Sequence, residues 1–173
     1  MAIPTLTTPR LLLRGFTLDD APAFFAICSD PAVARYLAGK RPETIEDIYR
    51  FFEKNGAHWA EHGYGLFAVI EQATGMLIGQ CGLWTLANSG DTEVAYAFAQ
   101  SAWGKGYATE AARAVIHDGF ARGGLSQIYA LAVPENTASR HVMEKLGMDF
   151  EGLVDRYYNA TLACYLLKKM DSA

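Results

Sequence analysis

The chain predicts an α+β fold: a mixed, mostly antiparallel central sheet with helices on both faces. Three features of the order of its segments carry that expectation. Strand-like runs dominate the first half after two early helices, and two of them flank a four-residue turn. Strand-like and helix-like segments then alternate through residues 93–146. A final pair of apolar runs, at 150–156 and 162–167, surrounds Tyr157-Tyr158-Asn159 and reads as a closing hairpin.

Residues 10–14, apolar between two arginines, form a first predicted strand. A helix follows over 18–29, with Asp19 and Asp20 at the positive end of its dipole, and Ser29-Asp30-Pro31 ends it. Pro42-Glu43-Thr44 opens a second helix in which Ile45, Ile48, Phe51 or Phe52, and Trp59 recur at helical spacing, until Gly63 and Gly65 stop it. Strands at 66–71 and 76–86 are joined by Gln72-Ala73-Thr74-Gly75, and a third strand covers 93–98. The helix beginning near Ala108 presents Ala112, Val115, Ile116 and Phe120 to a sheet and ends at Gly123-Gly124. A strand at 128–133 and a helix at 137–146, capped by Gly147, complete the alternating part. No repeat or linker interrupts the chain, which reads as one domain over residues 1–173.

The segment Trp103-Gly104-Lys105-Gly106-Tyr107-Ala108-Thr109-Glu110 joins the third of those strands to a helix. Its glycines admit a ligand close to the backbone, and the first N–H groups of a helix have no intrahelical acceptor. With the positive end of the dipole they make a site for phosphate oxygens. The segment lacks the G-x-x-x-x-G-K-[ST] of a P-loop. It also departs from the dinucleotide pattern G-x-G-x-x-G, since Thr109 stands where the third glycine belongs. An ordinary strand-to-helix loop is the alternative for the glycines alone.

Bulk properties narrow the function. Apolar residues make up 51% and charged residues 20%, the balance of a soluble globular domain. A net charge of −4 argues against a surface that coats nucleic acid and suits approach of a cationic amine. No run approaches the roughly 18 apolar residues of a membrane span, and no secretory signal is visible. Cys28, Cys81 and Cys164 are scattered, with no C-x-x-C, and read as structural thiols of a reducing compartment. The histidines, including His58 and His62 four apart, form no recognised ligand set, so no metal is expected. The expected location is the cytoplasm.

The order of motifs resembles one family. The run W-G-K-G-Y-A-T-E-A is followed by a strand ending in Pro134-Glu135-Asn136 and then by N-x-x-S-x-x-x-x-E-K-L-G. With Thr8-Pro9-Arg10-Leu11-Leu12-Leu13-Arg14 at the start, this series resembles the GNAT superfamily of acetyl-CoA-dependent N-acetyltransferases, and within it the ribosomal-protein-alanine acetyltransferase branch. The resemblance spans residues 8–167. It implies acetyl-CoA as co-substrate and a primary amine as acceptor (a protein N-terminal α-amine, or a small amine); charge and hydropathy point to no nucleic acid or membrane partner. A monomer or homodimer is expected. A non-catalytic module that binds acyl-CoA is a further reading.

The resemblance also implies roles for residues. The pantetheine arm of coenzyme A would lie between strands 93–98 and 128–133, pairing with the backbone of Val94, Ala95 and Tyr96, where a bulge would aim an N–H at the thioester. Diphosphate would sit on the amides of Gly104, Lys105, Gly106, Tyr107, Ala108 and Thr109. Lys105 would face phosphate or stand solvated. Asn136 would bond the pantetheine arm, or cap the helix that follows. Glu93 is the expected general base, or else an exposed carboxylate at a strand end. An ordinary glutamate, with a pKa of about 4.3, is too acidic for that task, so burial or an intervening water must compensate. Met143 occupies the place where many members carry a tyrosine, leaving Ser139 to serve the departing thiolate or merely to cap its helix. Tyr36, Trp84 and Tyr157 are the aromatics expected to touch the acceptor.

Overall fold

The computed structural model describes residues 2–37, 41–87 and 89–170. Its centre is an eight-stranded sheet: β1 (Leu6–Thr7), β2 (Leu11–Arg14), β3 (Leu66–Glu71), β4 (Met76–Thr85), β5 (Thr92–Phe98), β6 (Gln127–Ala132), β7 (Asp149–Val154) and β8 (Leu162–Lys168). In space they run β1-β2-β3-β4-β5-β6-β8-β7. Every neighbouring pair is antiparallel except β5 and β6. The helices are α1 (Ala21–Ser29), α2 (Pro31–Ala34), α3 (Ile45–His62), α4 (Tyr107–Ala121) and α5 (Thr137–Lys145). The α+β expectation holds.

Local chemistry sets the helix ends. Thr44 and Asp47 form a capping box at α3, with the Thr44 N–H donating to Asp47 Oδ2 at 2.9 Å, and Gly63 closes the helix at φ 74°. The predicted helix over 18–29 begins as a 3-10 turn, Leu18–Asp20, before α1. There Asp20 accepts from the Thr17 N–H and, in fork geometry, from both terminal nitrogens of Arg14 at 2.7 and 2.9 Å. Asp30 does more than end α1: its side chain accepts from the Ala32 N–H and starts α2, a helix the sequence reading does not contain.

The main core lies between one sheet face and α4. Leu11, Leu13, Val69, Leu83, Val94 and Ile128 meet Ala111, Ala112, Val115 and Ile116 there. On the other face α1 and α3 pack through Phe24, Ile48 and the rings of Phe16, Phe51 and Phe52. Alternation along β5 therefore gives its residues two destinations. Val94 joins the α4 core, whereas Ala97 packs with Ile27 of α1 and Val33 of α2.

The sheet has one weak seam. β4 and β5 pair without interruption from Gly79↔Phe98 to Thr85↔Thr92, but β5 and β6 pair in register only at Glu93↔Tyr129. Beyond that point the parallel strands part toward the start of α5. The expected bulge in residues 93–98 does not occur in the β4 ladder; the register shifts lie in β3/β4 and β7/β8 instead. Regular pairing with β4 keeps β5 straight, and the opening comes from the divergence of β6.

Candidate active site

Glu93 stands at the last paired position before the strands part, opposite Trp84 on β4. Its carboxyl is buried, at 5% exposure, and accepts a hydrogen bond from the Tyr158 hydroxyl. Desolvation raises its pKa from the ordinary 4.5 to about 7, and the Tyr158 hydrogen bond works against that rise by favouring the charged form. The strand-end carboxylate is thus an inward-facing group that titrates at neutral pH.

Trp84 lines the same region. Its indole stacks on the His58 imidazole at 4.0 Å between centroids and 12° between planes, with Lys54 Nζ 5.6 Å away. His58 accepts the Thr85 N–H at Nε2 and meets the Tyr64 carbonyl at Nδ1, 2.9 Å away, which fixes a neutral ring protonated at Nδ1. Burial lowers its pKa further. His58 and His62 stack at 4.5 Å, but among the described residues no group of three potential ligands is arranged for a metal ion.

Tyr157 does not line an open groove. It is 3% exposed, packs with Leu86, Leu162 and Cys164, and donates to Asp91 Oδ2 at 2.7 Å. The next residue is the one that reaches Glu93. Tyr158 and Asn159 have φ of 54° and 52°, a left-handed turn that non-glycine residues rarely adopt, and it swings the Tyr158 ring over Glu93. Tyr36 lies apart from this cluster. Its half-buried ring sits 4.7 Å beneath the Arg35 guanidinium, and among the described residues no hydrogen bond or ring contact joins it to Glu93, Trp84 or Tyr158.

The opposite face of β5 carries hydroxyls. Tyr96 projects across the seam, and its phenol lies 3.0 Å from Ser139 Oγ and 3.1 Å from the Ser139 carbonyl in the first turn of α5. Burial holds the phenol's pKa well above its ordinary value, so it stays protonated. Asn136 is the N-cap: its Oδ1 accepts the Ser139 N–H at 3.1 Å, leaving its amide protons unused by the cap. Met143 is buried in the main core, as an apolar side chain at that position should be.

The glycine turn leads from the 3-10 turn Gln100–Ala102 into α4. Gly104 and Gly106 have φ of 73° and 79°, conformations that favour glycine. Among the described residues, no main-chain N–H from 104 to 109 donates to a carbonyl or side chain. Six neighbouring main-chain donors at the start of a helix are thus left open, the arrangement that suits an anion. The Lys105 Nζ lies 5.9 Å from the Tyr107 ring centroid; hydrogen bonds from Tyr107 and Thr74 hold the Glu71 carboxyl below its ordinary range, with a lesser contribution from the Lys105 charge. Tyr107, expected only as an amide, donates its hydroxyl to Glu71 Oε1 at 2.5 Å.

A carboxylate thus lies on one face of β5, hydroxyls lie on the other, and a parted seam and a run of open helix-start amides follow at its end. The acetyltransferase (GNAT) domain profile matches residues 10–149. This chain belongs to that family and is an acyltransferase, with acetyl-CoA the acyl donor of its fold. It is 35% identical over 171 residues to YnaD of Bacillus subtilis, an uncharacterized N-acetyltransferase, covering 91% of this chain and 96% of that one. A GNAT-family acetyltransferase from Bacillus anthracis superposes with a TM-score of 0.80 at 32% identity, over 95% of this chain and 98% of that structure. In fold alone the chain is also similar to the ribosomal-protein-S5-alanine acetyltransferase of Vibrio fischeri, at TM-score 0.79 and 19% identity over 95% and 96% of the two chains.

Proposed function

We propose that the protein transfers acetyl from acetyl-CoA directly to a primary amine, with the α-amine of a polypeptide N-terminus as the preferred acceptor. The observation that carries the reading is the buried Glu93, titrating near neutrality, at the point where β5 and β6 part. The open amides at 104–109 suit a diphosphate, the exposed backbone edge of Val94–Tyr96 suits the amides of pantetheine, and Asn136 has amide protons to add. Donor and acceptor then meet from opposite faces of β5.

In this scheme the acceptor arrives on the Trp84 side as an ammonium and gives its proton to the Glu93 carboxylate. The neutral amine attacks the thioester carbonyl, a C–N bond forms, the C–S bond breaks, and coenzyme A leaves as thiolate. The second proton shed by the acylated nitrogen balances the one the sulfur takes up by way of Ser139, and Glu93 returns the first to solvent. The Tyr96 phenol donates to the Ser139 carbonyl, so the proton of Ser139 Oγ, 3.0 Å from the phenol oxygen, can turn from that oxygen to the sulfur. The products are an acetamide and a thiol.

The base selects among amines. An α-amine with a pKa near 8 costs about 1 kcal/mol to neutralise at pH 7, whereas a lysine-like amine near 10.4 costs about 4.6 kcal/mol. A carboxylate with a pKa of about 7 is matched to the first. Thiol release from acetyl-CoA, followed with short peptides bearing a free or a blocked N-terminus and with spermidine, tests the assignment. Turnover confined to free N-termini is the expected result; equal turnover of the polyamine would overturn the acceptor class.

A further inference from the structure

A cluster at the opposite end of the sequence grips the glycine turn. The Arg10 guanidinium donates from Nη1 to the Lys105 carbonyl at 2.8 Å and from Nε to Glu110 Oε2 at 2.7 Å. Glu110 Oε1 accepts the Arg10 main-chain N–H at 2.9 Å and the Thr8 hydroxyl at 2.6 Å. The same guanidinium lies 4.5 Å from the centre of the Tyr107 ring, whose hydroxyl is tied to Glu71 on β3. Arg10 is half exposed, so as an ion pair it adds little to stability. Its geometric effect is larger.

A trans peptide unit is planar, with its C=O and N–H pointing in opposite directions. The Lys105 carbonyl and the Gly106 N–H belong to one such unit, and no described peptide is cis. Holding the carbonyl on Arg10 therefore turns the Gly106 N–H away from the guanidinium, where no carbonyl or side chain takes it up. Glu110, in the first turn of α4, would repel a bound diphosphate if left unpaired; Arg10 offsets that charge. We infer that Arg10, fixed by Thr8 and Glu110, is a positioning residue for the acyl donor, holding the Lys105 carbonyl so that the Gly106 amide faces the diphosphate. The inference rests on the reading that the diphosphate occupies residues 104–109.

The test compares acetyl-CoA with S-acetylpantetheine, which has the same thioester and arm but no diphosphate. In the wild type, acetyl-CoA should be the better donor. Arg10→Gln should raise the KM for acetyl-CoA by roughly tenfold, the usual worth of one hydrogen bond to a charged group. Values of kcat, the KM of the amine and all constants for S-acetylpantetheine should stay within about twofold. Arg10→Lys, which keeps the positive charge beside Glu110 but cannot span both the Lys105 carbonyl and Glu110 as the guanidinium fork does, should act in the same direction, and serves if Arg10→Gln fails to fold. An equal loss with both donors, or no loss with either, overturns the positioning role. A wild type indifferent to the diphosphate overturns the underlying reading of the turn itself.

Discussion

Glu93 shows how burial makes a weak acid useful and what that costs. Its folded-state pKa of about 7 exceeds the ordinary 4.5, so the fold disfavours the charged form. The linkage sign follows: the neutral carboxyl is compatible with folding below about pH 4.5, and stability falls as pH rises through 7. A shift of that size corresponds to about 3 kcal/mol. Glu93→Gln should therefore raise the melting temperature at pH 8 relative to wild type, while lowering kcat by roughly 10²- to 10⁴-fold. A calorimetric scan and a turnover assay on the same samples check both halves, and a mutant less stable at pH 8 would refute the burial account. In the wild type, activity should climb with pH through about 7 as the carboxylate forms. The Tyr158 hydrogen bond favours that carboxylate, so Tyr158→Phe should move the midpoint of the pH–rate curve upward. A downward or absent shift would mean that the phenol does not bear on the base.

At the level of elements, the proposed function gives one side chain of α5 two tasks. Asn136 Oδ1 caps the helix, and in that proposal its amide protons bond pantetheine. Substitution separates the two, because aspartate caps as well as asparagine but carries no amide donor. Asn136→Asp should keep the thermal stability within about 0.5 kcal/mol yet raise the KM for acetyl-CoA several-fold, whereas Asn136→Ala should also lose about 1 kcal/mol. Denaturant titration beside steady-state kinetics distinguishes them; an aspartate variant with unchanged KM would leave Asn136 a cap alone. Elements of this kind were largely legible in the sequence, because capping residues, helical spacing and strand alternation are local signals. The strand edges at 66–71 and the Gly63 stop agree with the structure to the residue. Long-range facts were not. The choice between Tyr157 and Tyr158 depends on the left-handed turn that points one ring inward and the next over Glu93. The burial of Glu93 is likewise a tertiary property, and the contact of Arg10 with Glu110 spans one hundred positions with no spacing rule to announce it.

For the whole molecule, the placement of β8 is decisive. The last strand does not extend the sheet beyond β7 but enters between β6 and β7, pairing with β6 from Gln127↔Lys168 to Ala132↔Ala163. That ladder holds β6 along its full length on the side away from β5, just as β4 holds β5 on its far side. Two separately braced halves thus meet at the single register pair Glu93↔Tyr129, and the parted seam can persist without collapsing. A cleft built this way should tighten at its edges when filled, with little rearrangement of either half. Hydrogen exchange of the full chain with and without coenzyme A reads this directly. The alternate amides of 94–98 that face the seam and those of 104–109 should slow strongly, since they gain acceptors, while those of β3, β4 and β8, already paired in ladders, should change little. Pantetheine in place of coenzyme A should slow the first segment and leave the second exchanging as before. Broad slowing across β4 and β8 would instead mean that the halves close on the ligand, and the seam would have to be regarded as a hinge and not a preformed slot.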